Sequence, residues 1–247
     1  MPVGELILAV LCGSAVGLSL GLTGGGGSIF ALPLLVQVLH TGVREAVAIS
    51  LATVGLTALF GAILKSDSVR WKAGLLFAAG GIAGAPLGTL IGVKLPERMI
   101  LVGFATLMLI TGWRMLRGRR SEENDGGHPH LAVLLIAGFV TGIMAGIFGV
   151  GGGFLIVPAL VFGAALPIRV AMATSLLAIA LISASTLGFQ AAFGVASIPV
   201  DILLVFSAGA IGGMAGGTKL RGIFSDLALR RVFAAGMWGV AASLLLS

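Results

Sequence analysis

Apolar positions along the chain come in long uninterrupted blocks separated by short polar joints. The blocks cover about 5–22, 28–39, 46–64, 73–93 and 98–116, then 131–148, 152–164, 170–193, 200–218 and 227–246. Most approach or match the roughly 17–25 apolar residues that carry a helix across a hydrocarbon core. None alternates strictly between apolar and polar, so the spans are predicted as helices and not as a barrel. The one clear linker runs from Arg117 to His130; it is charged, contains Gly126, Gly127 and Pro129, and has nothing to bury. It divides the chain into a first transmembrane half, 1–116, a linker, 117–130, and a second transmembrane half, 131–247.

Both halves break on glycine where a helix would be expected to continue. The first break is Gly21-Leu22-Thr23-Gly24-Gly25-Gly26-Gly27-Ser28, followed by Pro33; the second is Gly146-Ile147-Phe148-Gly149-Val150-Gly151-Gly152-Gly153, followed by Pro158. Gly146 and Pro158 each lie 125 positions beyond Gly21 and Pro33. At the same offset Arg44 to Leu51 matches Arg169 to Leu176, and Gly80, Gly84 and Gly88 match Gly209, Gly213 and Gly217 at an offset of 129. Glycine destabilises a helix interior by roughly 1 kcal/mol, so a break made twice in one register points to a use for exposed backbone. The glycines spaced by four, with Gly13, Gly17 and Gly21 and their counterparts Gly138, Gly142 and Gly146, read as stripes for close helix packing.

The expected fold is an all-α integral membrane protein of two inverted-topology repeats, each a broken, re-entrant helical hairpin plus three spanning helices. Charge suggests the inversion. If the first two segments of each half enter and return on one side, 12 of the 15 Lys and Arg share a face, and only Arg44, Lys94 and Arg98 lie opposite. If the broken segment crossed once, the split would be nearly even. The positive-inside rule then favours inversion, with both termini outside and the linker in the cytoplasm. A returning segment of about 12 residues is about 18 Å long as a helix. That places the glycines near the middle of a roughly 30 Å core, and the longer outgoing arm is expected to tilt or to begin outside it.

Composition adds exclusions. Only 10% of residues are charged and 58% are hydrophobic, against roughly 25% charged in a soluble domain. The net charge of +6 sits in short loops, as topology requires, and makes no phosphate-binding face, so no nucleic acid is expected. The single cysteine, Cys12, rules out a disulfide framework or a Cys-rich metal site and reads as a small apolar residue. The N-terminal run resembles a signal peptide, but its counterpart at 131–164 marks it as retained structure. No catalytic set of Ser/His/Asp, paired carboxylates or metal-spaced histidines can be assembled, so no enzyme, cofactor or metal is expected.

Inverted halves broken at corresponding positions are the pattern of a secondary transporter whose site lies where the halves meet. The glycine turns leave N–H groups free at the start of a returning helix, which favours an anion. Gly25, Gly26, Gly27 and Ser28 would supply one half-site, and Gly151, Gly152 and Gly153 the other. Packing of a tight hairpin alone is the alternative. Ser50 and Ser175 occupy one place in both halves, with Thr53 and Thr174 nearby. Their hydroxyls could donate to an anion or bond back to their own helix carbonyls. Arg44 and Arg169 would lie at opposite mouths of the pathway, attracting anions or snorkelling to the interface. No acidic residue or histidine lies deep in a span, which argues against cation or proton-relay transport and for an anionic substrate.

The doubled glycine motifs, each with its proline and each followed by Arg-x-Ala-x-Ala-x-Ser, resemble the sulfite exporter TauE/SafE family of bacterial membrane proteins over nearly the whole chain. The resemblance implies export of sulfur oxyanions or organosulfonates such as sulfite or sulfoacetate across the cell inner membrane, with some members linked to other small anions. Gly25 to Ser28, Gly151 to Gly153, Ser50 and Ser175 fall on the motif. Val150 stands for a glycine and Gly153 for the serine matching Ser28, so the half-sites should contribute unequally. The expectation is export by alternating access, with a small anion and the lipid bilayer as partners, protons if export is coupled, and a homodimer allowed for. A small-anion or sulfonate uptake permease and a non-transporting scaffold are the alternatives.

Overall fold

Backbone in hydrocarbon must satisfy its hydrogen bonds within its own segment, and the apolar blocks do so as helices. The computed structural model describes residues 3–117, 131–149, 153–164, 166–194, 198–220, 235–236 and 238–244, and contains no strand among them. The first half comprises α1 (Val3–Thr23), a 3-10 turn (Gly26–Phe30), α2 (Ala31–Gln37), α3 (Val43–Leu64), α4 (Trp71–Lys94) and α5 (Glu97–Arg117). The second comprises α6 (Leu131–Phe148), α7 (Gly153–Pro158) with a π-helical turn (Ala159–Gly163), α8 (Ile168–Ala192) and α9 (Val200–Leu220). Six of these helices, α1, α3, α4, α6, α8 and α9, are long and apolar enough to cross a membrane.

Element ends follow local chemistry. Helix α3 starts at Val43, before the apolar block, because Gly42 (ψ 145°) caps it and Glu45 in the first turn suits the positive helix end. Asp201 lies in the first turn of α9, where its charge suits the positive helix end, and the Pro199 carbonyl accepts the Leu203 amide. Helix α1, with 21 residues, is about 31 Å long, enough to span a hydrocarbon core. The return arm Gly26–Gln37 mixes 3-10 and α turns and reaches only about 20 Å. The return arm is the shorter of the two, as the sequence predicts.

The most enclosed spans are α3 and α8. Gly55 faces Ser183 and Gly61 faces Leu176, so the two run antiparallel. Large side chains such as Leu11, Leu87, Ile136 and Leu204 are exposed on α1, α4, α6 and α9, where lipid would meet them.

Helix pairs α1/α9 and α4/α6 each join one helix from each half. Gly13, Gly17 and Gly21 press on the backbone of Phe206, Ala210 and Met214. Gly138, Gly142 and Gly146 press on Phe77, Gly81 and Ala85. From the other side Gly209, Gly213 and Gly217 meet Val10, Ser14 and Leu18, as Gly80, Gly84 and Gly88 meet Leu135, Phe139 and Ile143. Every contact in one pair maps onto the other by the sequence offsets of 125 and 129. Residue numbers rise together across each pair, so the paired helices are parallel. Lipid is as apolar as leucine, so this close backbone approach, and not water exclusion, holds the halves together.

A side chain at these crossings has nowhere to go. Gly17→Leu and Gly142→Leu, which would overlap the backbone of Ala210 and Gly81, should each lower stability by about 3 kcal/mol or more. Gly212→Ala and Gly216→Ala, inside α9 where nothing lies within 4 Å, should not lower it and should raise it by up to about 1 kcal/mol. Thermal melts and size exclusion of the detergent-solubilised variants make the comparison.

Candidate functional site

The two breaks are built alike. Gly24 (φ 81°) and Gly149 (φ 69°) hold left-handed backbone 125 positions apart. Each ends its helix in the same way, with the Gly24 amide bonded to Leu20 O at 2.8 Å and the Gly149 amide to Ala145 O at 2.9 Å. A Cβ on Gly24 would stand 2.6 Å from Met172 Cβ; one on Gly149 would stand 2.5 Å from Val47 Cγ1. Met172 and Val47 are again 125 apart. Each break thus seats on the first turns of the long central helix of the other half.

The turns themselves meet. A Cβ on Gly153 would fall 2.6 Å from Gly25 O and 2.7 Å from Ser28 Oγ, and one on Gly25 would overlap Gly153 O. Backbone and one hydroxyl meet here, with Val157 and Ile179 side chains packed beside them. Gly27 is pressed against its own helix at Ser19 and Leu20, whereas Gly26 has only Thr23 Oγ1 at 3.3 Å beside it. Gly151 and Gly152, predicted for the second half-site, lie outside the described residues.

The predicted hydroxyls divide into used and unused. Ser28 donates to Gly25 O (2.9 Å) and Ser175 to Met172 O (2.8 Å), each back into its own turn. Thr53 Oγ1 pairs with Ser207 Oγ at 2.8 Å, joining α3 to α9. Thr174 Oγ1 accepts the Arg70 amide at 3.0 Å, where α4 begins. The equivalent positions are Ile49 and Pro199, which lack the acceptor and the donor together. Ser50 Oγ and Ser183 Oγ are enclosed and have no hydrogen-bond partner among the described residues.

Ser50 and Ser175 are not brought together. In the antiparallel register of α3 and α8 they sit about twelve residues, ~18 Å of helix, apart. The centre where both were expected instead holds the Gly25–Ser28–Gly153 contact. Arg44 and Arg169, both exposed, start α3 and α8 and so lie at opposite ends. Arg44 Nη2 donates to Val93 O at 3.3 Å; Lys65, at the other end, reaches Gly21 O at 3.3 Å.

Buried polar side chains among the described residues are hydroxyls and one amide, Gln190, with no carboxylate, imidazole or cation. No cluster of His, Cys, Asp or Glu that could hold a metal is found among them. Ser207, Thr89 and Gln190 were not singled out by sequence. The offset could have found Gln190, which stands 125 positions after Lys65.

A model of the sulfite exporter TauE/SafE family matches residues 9–244. The chain is 38% identical over 186 residues to a probable membrane transporter protein of Xylella fastidiosa strain Temecula1, covering 72% of this chain and 71% of that protein. It is 30% identical over 206 residues to the probable membrane transporter protein YunE of Bacillus subtilis strain 168, covering 72% and 76%. A probable membrane transporter protein of Methanocaldococcus jannaschii is 26% identical over 216 residues, covering 81% and 80%.

The Thr174 bond ties its helix to the start of α4, and it satisfies a backbone donor. Thr174→Val should cost about 1 kcal/mol in unfolding experiments. Thr186→Val, which loses only the bond to Ile182 O one turn back, should cost less.

Proposed function

Because the chain belongs to the sulfite exporter TauE/SafE family, we propose that it exports small sulfur oxyanions or organosulfonates, of the sulfite and sulfoacetate class, by alternating access. The protein is a multi-pass membrane transporter and not an enzyme, which leaves the scaffold alternative without support. The observation that carries the proposal is the contact of the two glycine turns, Gly25 and Ser28 against Gly153, at the junction of the halves. Around it the enclosed polar side chains are neutral hydroxyls, and no buried carboxylate among the described residues would repel an anion.

The halves in this proposal are inverted. Parallel α1/α9 and α4/α6 pairs around antiparallel α3 and α8 fit that arrangement, as does the grouping of Lys65, Arg70 and Arg169 at one end and Arg44 at the other. The chain would lie in the cell inner membrane with both termini outside. Gly27 N already donates to Thr23 Oγ1 at 3.1 Å and Ser28 N to Gly25 O at 3.4 Å, so the amides of Gly25 and Gly26, with those of Gly151 to Gly153, would hold the anion, with the Thr53 and Thr174 regions forming walls. Ser50 and Ser175, too far apart to bind one ion together, would serve it in turn on its way through. Rocking of one half against the other on the glycine contacts would open each side alternately. An anion leaving an inside-negative cell gains about 2.3 kcal/mol per charge per 100 mV, so uniport suffices to drive export and proton coupling is an addition.

Liposome flux of sulfite, sulfoacetate and sulfate under an imposed potential tests this. The parent should carry at least one of them, faster as the potential becomes more favourable. Ser50→Ala breaks no recorded hydrogen bond, so its melting temperature should hold while its flux falls several-fold. Gly26→Leu, at the least crowded glycine of the turn, should do likewise. Full flux in both variants would remove the binding assignment, and failure of the parent to carry any anion would sink the substrate class.

A further inference from the structure

At the end of the molecule that carries Arg44, a small cleft opens between the halves. It has a volume of about 30 Å³ and is lined by Arg44, Val47, Thr89, Gly146 and Gln190 among others. Thr89 is 1% exposed, and its Oγ1 is enclosed with no hydrogen-bond partner among the described residues. Gln190 is 4% exposed, and its amide makes no hydrogen bond with a described residue. Arg44 spends one donor on a 3.3 Å bond to Val93 O, and a guanidinium has five. Three side chains able to donate thus converge on a space with no acidic lining residue. That volume exceeds the roughly 10–15 Å³ a single water needs, so it accommodates one oxygen of an oxyanion whose remainder faces the opening.

We propose that this cleft is an anion vestibule, a site separate from the glycine turns, where Arg44, Thr89 and Gln190 hold a small oxyanion at one mouth of the pathway. It rests on the transport function proposed above. The internal register identifies the counterpart at the other mouth. Arg44, Thr89, Gly146 and Gln190 correspond to Arg169, Thr218, Gly21 and Lys65 by offsets of 125 and 129. There Lys65 Nζ lies 3.3 Å from Gly21 O, and the Thr218 hydroxyl is committed to Ala215 O at 2.8 Å. At these four matched positions one mouth therefore carries one formal cation with an uncommitted hydroxyl and amide, and the other carries two cations, while Lys94 and Arg98 lie on the Arg44 face outside the cleft lining.

The exchange of Lys65 for Gln190 makes the mouths unequal in their hold on an anion. Such an inequality cannot set the direction of net transport, which follows the electrochemical gradient. It sets the concentration at which each face saturates. The Arg44 face should saturate at a higher concentration than the Lys65 face, as suits a mouth that releases its ion.

Orientation-sorted liposomes, with sulfite offered from either face, test this. The half-saturation concentration at the Arg44 face should fall about tenfold in Gln190→Lys and rise about threefold in Thr89→Val, with the other face changing less than twofold. Lys65→Gln should raise it at the Lys65 face alone. Active variants whose half-saturation is unchanged at both faces overturn the vestibule while leaving transport intact. If the parent carries no sulfite, the transport function fails separately, and binding decides the vestibule. The melting temperature of detergent-solubilised parent should then rise with sulfite or sulfate and the rise should shrink in Thr89→Val; equal rises, or none in the parent, overturn it.

Discussion

Everything in this molecule depends on backbone meeting backbone across its two halves. A hydrocarbon solvent gives no reward for burying leucine, so helices associate only where they approach closely enough for dispersion to accumulate. Glycine at every fourth position supplies that approach on four helices. Because α1 grips α9 and α6 grips α4, neither half can pack its stripes alone. The two-half architecture is a consequence of where the glycines are.

The same economy of side chains produces the site. Gly24 and Gly149 need left-handed backbone to end their helices and must pass within contact distance of Met172 and Val47. Any other residue there would be strained and obstructed at once. The short return arms that follow bring Gly25, Ser28 and Gly153 together. The polar groups at the junction of the halves are backbone and hydroxyls, which carry no charge of their own to desolvate.

The symmetry is carried by glycine and broken by polar residues. Thr174 bonds the Arg70 amide where Ile49 and Pro199 have neither partner. Thr53 pairs with Ser207, while the corresponding Ala178 and Ala78 have no hydroxyl. Gln190 stands for Lys65. These changes leave the glycine stripes alone and alter the polar contacts between helices and at each end, so the halves can share one fold and differ in chemistry.

Blocks of apolar length, the two breaks and the glycine stripes were legible in the sequence because each is a local pattern: a run, a spacing of four, a repeat at fixed offset. Those patterns by themselves determined an all-helical membrane protein of two related halves, and they located Gly25, Ser28 and Gly153 before any contact was known. The tertiary structure alone decided which stripe meets which, that α3 and α8 run antiparallel, and therefore that Ser50 and Ser175 stand about 18 Å of helix apart. Equivalent positions in a repeat need not be neighbours. Two residues related by an internal symmetry lie close only if both lie near its axis, and distance from an axis is a property of packing that a linear offset does not contain.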